Sequence, residues 1–354
     1  MSLPVIHIVR RFGRVGGMES YVWHLVHGLV DQNIQVVVVC EQVCESPEAS
    51  IRIVQVETSS VRPRWKSMMT FRALVDQKIR DIFCGQTVLV HSHERSVCHQ
   101  VTTFHGPPIE PPRGLGWLSR FNKRFIAWRQ MELNELLGPT VQMILPVSSQ
   151  VQEQLINRYP EIKGKKTLLA WPGVSQAARS SSSFIRKPST CVNFLFVGKE
   201  WKRKGFDIAV DVVDEFQRSY GTASLTVFGV DQTDLPRATR ALEWISFQGW
   251  SSSIPWSDFD VLLHPARKEP FGMVVAEARS HGIPVAMSSQ VGVADLKFSA
   301  TEILDVSAPV ADWCEAIAEL IQNNVREPEI KWSWGDLVVQ HVEMIYPQLK
   351  GIRL

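Results

Sequence analysis

The sequence predicts an α/β protein made of two Rossmann-like domains facing each other across a cleft. Its 354 residues exceed what a single hydrophobic core usually organises. Short β-branched runs alternate with longer amphipathic stretches, and this rhythm occurs twice along the chain. A stretch of small and polar residues separates the two occurrences.

The first half opens with a strand at 4–9, a helix from about 18 to 31 and a strand at 35–40, which is a βαβ unit. Apolar runs at 87–91, 99–103, 142–146 and 167–170 read as further strands of one parallel sheet, with helical segments between them. The pattern dissolves around Trp171-Pro172-Gly173-Val174 and the run Ser180-Ser181-Ser182-Ser183, ending at Lys187-Pro188. It then resumes with strands at 192–197, 224–228, 244–248 and 260–263 and a helix over 206–220. The expected domains are 1–175 and 188–331, with a helix at about 332–348 crossing back onto the first. Ligands of open α/β sheets bind at the carboxyl ends of the strands, so the cleft is the expected active site.

Hydrophobic residues make up 45% and charged residues 21%, which excludes both a disordered chain and a membrane bundle. No apolar run approaches the roughly 20 residues that cross a bilayer. The start of the chain reads as a first strand rather than a signal peptide, so a cytoplasmic protein is expected. A net charge of +2 gives no reason to expect nucleic acid as a partner. The six cysteines form no CxxC pair and read as buried, reduced thiols.

Four segments carry chemistry. Glu269-Pro270-Phe271-Gly272-Met273-Val274-Val275-Ala276-Glu277 follows the strand ending Leu262-Leu263-His264-Pro265, placing Glu269 in a loop and Glu277 inside the next helix. Backbone N–H groups around Gly272 would sit at a helix N-terminus, where partial positive charge suits a phosphate. Phe196-Val197-Gly198-Lys199-Glu200-Trp201-Lys202-Arg203-Lys204-Gly205 gathers cations on one strand-to-helix turn, as a leaving diphosphate requires. Gly16-Gly17 closes the loop after the first strand without forming GxGxxG, which counts against a dinucleotide enzyme. His105, in Thr103-Phe104-His105-Gly106, ends a strand and is either a site residue or structural. His91 and His93 lack carboxylate or thiol companions and read as structural. Ser148 and Ser149 read best as a helix cap.

The E-x7-E pattern, set in HPARKEPFGMVVAEA and followed by Gly-Ile-Pro-Val, resembles the signature of the retaining GT-B glycosyltransferases of family 4, including bacterial lipopolysaccharide and surface-polysaccharide enzymes. The resemblance is strong from about 190 to 290 and looser before 150. It implies that Glu269 faces the donor sugar, Glu277 the ribose, and Pro270, Phe271, Gly272, Met273 and Val274 the sugar hydroxyls and diphosphate. Arg203 and Lys204 match the diphosphate clamp, with Lys199 as a third candidate. Gly16 and Gly17 match the first loop, near the donor phosphates, and His105 a histidine that reaches the donor sugar. The implied activity is metal-independent hexosyl transfer from a nucleotide-diphosphate sugar, UDP-linked by preference, to a glycan or glycolipid hydroxyl, with no cofactor. A nucleotide-sugar epimerase and a non-catalytic GT-B subunit are the competing readings. The stretch 117–129, with Trp117, Phe121, Phe125 and Trp128 beside basic residues, reads first as a helix burying an aromatic stripe. Its second reading is peripheral docking on the inner face of the membrane.

Overall fold

The computed structural model describes residues 3–58, 62–112, 114, 121–175, 191–251 and 253–354. Its contacts divide the chain into two units, Met1–Gly173 with Trp334–Leu354, and Val174–Ser333. The serine run and Lys187-Pro188 lie outside the described residues.

Among the described residues the main sheet of the first unit has seven parallel strands, β1 (Val5–Ile8), β2 (Val36–Cys40), β3 (Arg52–Gln55), β4 (Thr87–Ser92), β5 (Val101–Phe104), β6 (Met143–Pro146) and β7 (Lys166–Thr167), and Arg11–Phe12 pairs with Gln42–Val43 apart from it. Their order in the sheet is β3-β2-β1-β4-β5-β6-β7. Every residue of β1 and β2 is buried, as in a sheet covered on both faces. Helix α1 (Gly17–Asp31) covers one face through Tyr21, Val22, Leu25, Val26 and Leu29. Helix α2 (Arg64–Ile82) covers the other through Phe71, Val75 and Ile79. The chain returns to this unit at Trp334. Helix Trp334–Gln340 and the π turn His341–Ile345 add Leu337, Val338 and Ile345 to the core of α1. Strand Ile352–Arg353 then pairs antiparallel with the start of β4.

Helix α3 (Lys123–Leu137) begins after Asn122, whose side chain accepts the Phe125 N–H at 3.0 Å. The expectation of a core aromatic stripe at 117–129 is therefore corrected. Phe121 precedes the helix and is 64% exposed, while Phe125 and Trp128 are only half-buried, beneath the guanidinium groups of Arg158 and Arg95. Trp117 and Arg120 lie outside the described residues. Among the described residues no helix is long and apolar enough to cross a membrane. Ser148 caps α4 (Ser149–Arg158) by accepting the Val151 N–H. The cysteines are all free, but not all buried: Cys84 is exposed and Cys44 and Cys191 half-buried. Cys84 stands beyond α2, where the preceding Phe83 occupies the core position.

The second unit repeats the plan with β8 (Val192–Val197), β9 (Ala223–Phe228), β10 (Ile245–Gly249), β11 (Val261–His264), β12 (Val285–Ser288) and β13 (Thr301–Leu304). The parallel order is β10-β9-β8-β11-β12-β13, the doubly wound Rossmann arrangement. Beside the sheet, among the described residues, are α5 (Trp201–Lys204), α6 (Phe206–Ser219), α7 (Met273–Ser280) and α8 (Val310–Asn323), with a further short helix at Arg237–Arg240. Helices α6 and α8 share a core with Phe194, Phe196 and Leu263, centred on the fully buried Trp313.

Candidate active site

Each sheet reverses its strand order between the first strand and the fourth, and such a switch point opens a crevice at the carboxyl ends of those strands. In the second unit the two strands are β8 and β11. The loop after β8 leads to Arg203 and Lys204, and the loop after β11 to Glu269, so the topology joins residues 66 positions apart.

Glu269 Oε2 accepts from Arg203 Nη1 at 3.0 Å and is paired still more closely with Lys204 Nζ. Arg203 is itself anchored, donating from Nε to Glu200 at 2.8 Å and from Nη1 to the Lys268 carbonyl at 2.6 Å. Burial alone would raise the carboxyl pKa of Glu269, but Lys204 and Arg203 hold it below its ordinary value. The carboxylate is anionic at neutral pH and the two cations are fixed in place.

Two glycines make this geometry possible. Gly205 has φ 75° between α5 and α6, and a Cβ there would stand 2.0 Å from the Pro265 carbonyl oxygen. Gly272 has φ 98° and caps α7, and its Cβ would stand 2.5 Å from Val291 Cγ1. The loop between Glu269 and Gly272 is pinned from one side. Glu269 N–H donates to Gln290 O, Gly292 N–H to Glu269 O, and Val293 N–H to Phe271 O, at 3.0, 3.1 and 2.7 Å. Phe271 and Val274 are buried, and Pro270 and Met273 half-buried. The first turn of α7 therefore presents its N–H groups from a rigid base. Glu277 sits on that helix, half-buried, with its carboxyl pKa raised by desolvation. Lys199 is exposed and stands outside the Glu269 ion-pair cluster.

His264 was not singled out from the sequence. It ends β11 fully buried, neither ring nitrogen has a hydrogen-bond partner, and Nε2 lies 4.0 Å from Glu269 Oε2. Burial pulls its pKa down to about 3, so it is neutral. Its position directly before the Pro-Ala-Arg-Lys-Glu run was the available signal.

The remaining predicted residues lie in the first unit. Gly16, in extended backbone, caps α1, and Gly17 is the first residue of that helix. His105 leaves β5 half-buried, with Nε2 3.1 Å from His93 Nδ1 and the Tyr21 ring edge-on at 4.9 Å. Burial lowers its pKa to about 3, so it is a neutral imidazole.

Comparison with known proteins agrees with this plan. Residues 15–176 match the family model described as Glycosyltransferase Family 4, and residues 191–323 match Glycosyl transferases group 1. A Klebsiella pneumoniae relative, an uncharacterised 41.2 kDa protein in the cps region, is 34% identical over 98 residues. That match spans 27% of this chain and only 26% of the relative. Among solved structures, WaaG, a glycosyltransferase involved in lipopolysaccharide biosynthesis, is similar with a TM-score of 0.72 and 15% identity, over 97% of this chain and 96% of its own. The Anabaena protein HepE, solved with UDP and glucose, is similar with a TM-score of 0.63 and 14% identity, over 97% of each chain. These likenesses show the fold, two Rossmann-like domains of the GT-B type.

Proposed function

The chain belongs to the GT-B glycosyltransferases, matching family 4 in its first half and group 1 in its second, and from that premise we propose that it is a retaining, metal-independent hexosyltransferase using a UDP-linked sugar. The proposed acceptor is a glycan or glycolipid hydroxyl in bacterial lipopolysaccharide or surface-glycan synthesis. WaaG and HepE, through the lipopolysaccharide and UDP named for them, favour that pathway and that base.

The observation that carries the reading is the Glu269–Arg203–Lys204 cluster at the switch point of the second sheet, beside the N-terminus of α7. As the anomeric C–O bond breaks, negative charge grows on the β-phosphate. Arg203, Lys204 and the first-turn N–H groups supply fixed positive charge for it, without solvent reorganisation. The acceptor oxygen bonds to the anomeric carbon on the face the diphosphate leaves, and its proton passes to the departing phosphate oxygen. Glu269 is not a nucleophile in this scheme; its carboxylate offsets positive charge on the ring and keeps the two cations in position. Glu277 accepts from the ribose hydroxyls. In the first unit, Gly16 and Gly17 approach the phosphates, and neutral His105 exchanges a hydrogen bond with a sugar hydroxyl.

Calorimetric titration with UDP-, GDP- and ADP-linked sugars, followed by NMR of the product anomer, tests the proposal. One donor should bind, lose affinity in Glu277→Ala, and give a product of unchanged anomeric configuration. Inversion would refute the retaining scheme, epimerised donor without acceptor would replace transfer, and no binding to the folded protein would leave a non-catalytic subunit.

A further inference from the structure

The switch point of the first sheet holds a second cluster, made of histidines. His7 on β1, His91 on β4 and His93 just beyond β4 are 0–3% exposed, and one nitrogen of each lies within 4.8 Å of the others. His7 Nδ1 and His93 Nε2 are 3.0 Å apart. The nitrogens of a tetrahedral site with bonds of 2.0–2.1 Å stand about 3.3 Å apart, so this pair already has nearly the spacing of two ligands on one ion. The centroids of His7 lie 5.1 Å from those of His91 and 5.3 Å from those of His93.

His341 adds an independent observation. It is fully buried, and its ring stacks 5.5 Å from His91. Nδ1 lies 2.8 Å from the Leu337 carbonyl, which only accepts, so Nδ1 carries the proton and Nε2 carries a lone pair. That Nε2 has no hydrogen-bond partner. A histidine with one nitrogen committed to a carbonyl and the other bare has the tautomer of a metal ligand. The other three rings have partners on both nitrogens: outward, His93 Nδ1 meets His105 Nε2 at 3.1 Å, His91 Nε2 meets Thr103 Oγ1 at 2.8 Å and His7 Nε2 meets the Tyr346 hydroxyl at 3.5 Å, while inward His7 Nδ1 meets His93 Nε2 and His91 Nδ1 meets the Tyr346 hydroxyl at 3.1 Å, contacts that a bound ion would replace.

We propose that His7, His91 and His93 form a binding site for one borderline divalent transition metal, zinc by preference, with the buried His341 ring stacked beside it. The all-imidazole donor set suits zinc, cobalt or nickel and argues against magnesium or calcium, which take oxygen. Half-buried His105 is the more exposed neighbour of the cluster, hydrogen-bonded to His93.

Untagged protein, stripped with a chelator and titrated with Co2+, tests this directly. One equivalent should bind at micromolar free ion with the intense visible absorption of a tetrahedral nitrogen site, Zn2+ should displace it, and zinc should raise the unfolding temperature. His7→Gln and His93→Gln should each abolish stoichiometric binding. His105→Ala, which removes the partner of His93 Nδ1, should weaken cobalt binding roughly 10- to 100-fold. Cys84→Ser, which removes the exposed thiol, should change nothing. Absence of one-to-one cobalt binding to the wild type would overturn the proposal without reference to any variant. Binding that survives in folded His93→Gln would overturn it equally.

Discussion

Replacing Lys204 by Met preserves the length of the side chain and removes its charge. In the structure Lys204 is the cation closest to Glu269, and its side chain is 14% exposed, so water does not substitute for it. A hydrogen bond to a charged group is worth about 1.5–3 kcal/mol, and losing one to a diphosphate lowers affinity about 10- to 150-fold. A second effect has a fixed sign. Against the upward pull of burial, Lys204 is the first cause holding the Glu269 carboxyl below its ordinary value. Without it that pKa rises, so the carboxylate is lost at a higher pH and the acid limb of the activity profile moves toward neutrality. Calorimetry with the matching nucleoside diphosphate reads the first effect and the pH dependence of kcat/KM the second, with circular dichroism as the check on folding. A folded variant that binds the diphosphate within twofold of wild type and keeps the wild-type acid limb would refute the reasoning.

Three further expectations concern stability. Gly205→Ala combines a left-handed backbone penalty of about 1–2 kcal/mol with overpacking of about 1–3 kcal/mol against the Pro265 carbonyl, so urea unfolding should show the second unit losing at least about 2 kcal/mol. Glu132→Ala removes a fully buried carboxylate that accepts from the Tyr159 hydroxyl at 2.6 Å, Ile109 N–H at 2.9 Å and Arg95 at 3.0 Å. The Tyr159 hydroxyl, Ile109 N–H and Arg95 would each lose their acceptor, at about 1–3 kcal/mol apiece, and a change in melting temperature within error would contradict that account. Burial lowers His7 and His105 to about 3 and His99 and His341 to about 4. Their folded pKa values lie below the unfolded value near 6.5, so stability is complete above that pH and is lost as pH falls toward 4, by up to about 1.4 kcal/mol per histidine per pH unit. Denaturant midpoints that stay flat from pH 7 to 5 would rule out this set of neutral histidines.

The fold was legible wherever a strand is buried on both faces, because such strands are continuous apolar runs: Val36 to Cys40 and Val261 to His264 needed no neighbour to be recognised. Two of the four edge strands were not. Arg52–Gln55 and Thr301–Leu304 are mostly exposed or half-buried and carry no apolar run. The Glu269 cluster was legible only through the resemblance of its motif, since nothing in the spacing of residues 203 and 269 brings them together. The histidine cluster was invisible for the same reason carried further: His91 and His93 are neighbours in sequence, but His7 and His341 come from opposite ends of the chain. His264 reads as an ordinary strand end until its two partnerless nitrogens are seen beside a carboxylate. The 117–129 stretch misled because aromatic spacing alone does not locate a helix start, which Asn122 sets here.

The return of the chain to the first unit at Trp334 also orders events during synthesis. Residues 334–354 leave the ribosome after every residue of the second unit, so the second unit has its whole sequence available for folding while the first still waits for Leu337, Val338 and Ile345 to cover Leu25 and Leu29. For that interval α1 shows an apolar face to solvent, which a chaperone would be expected to hold. A stop codon after Ser333 would make that interval permanent.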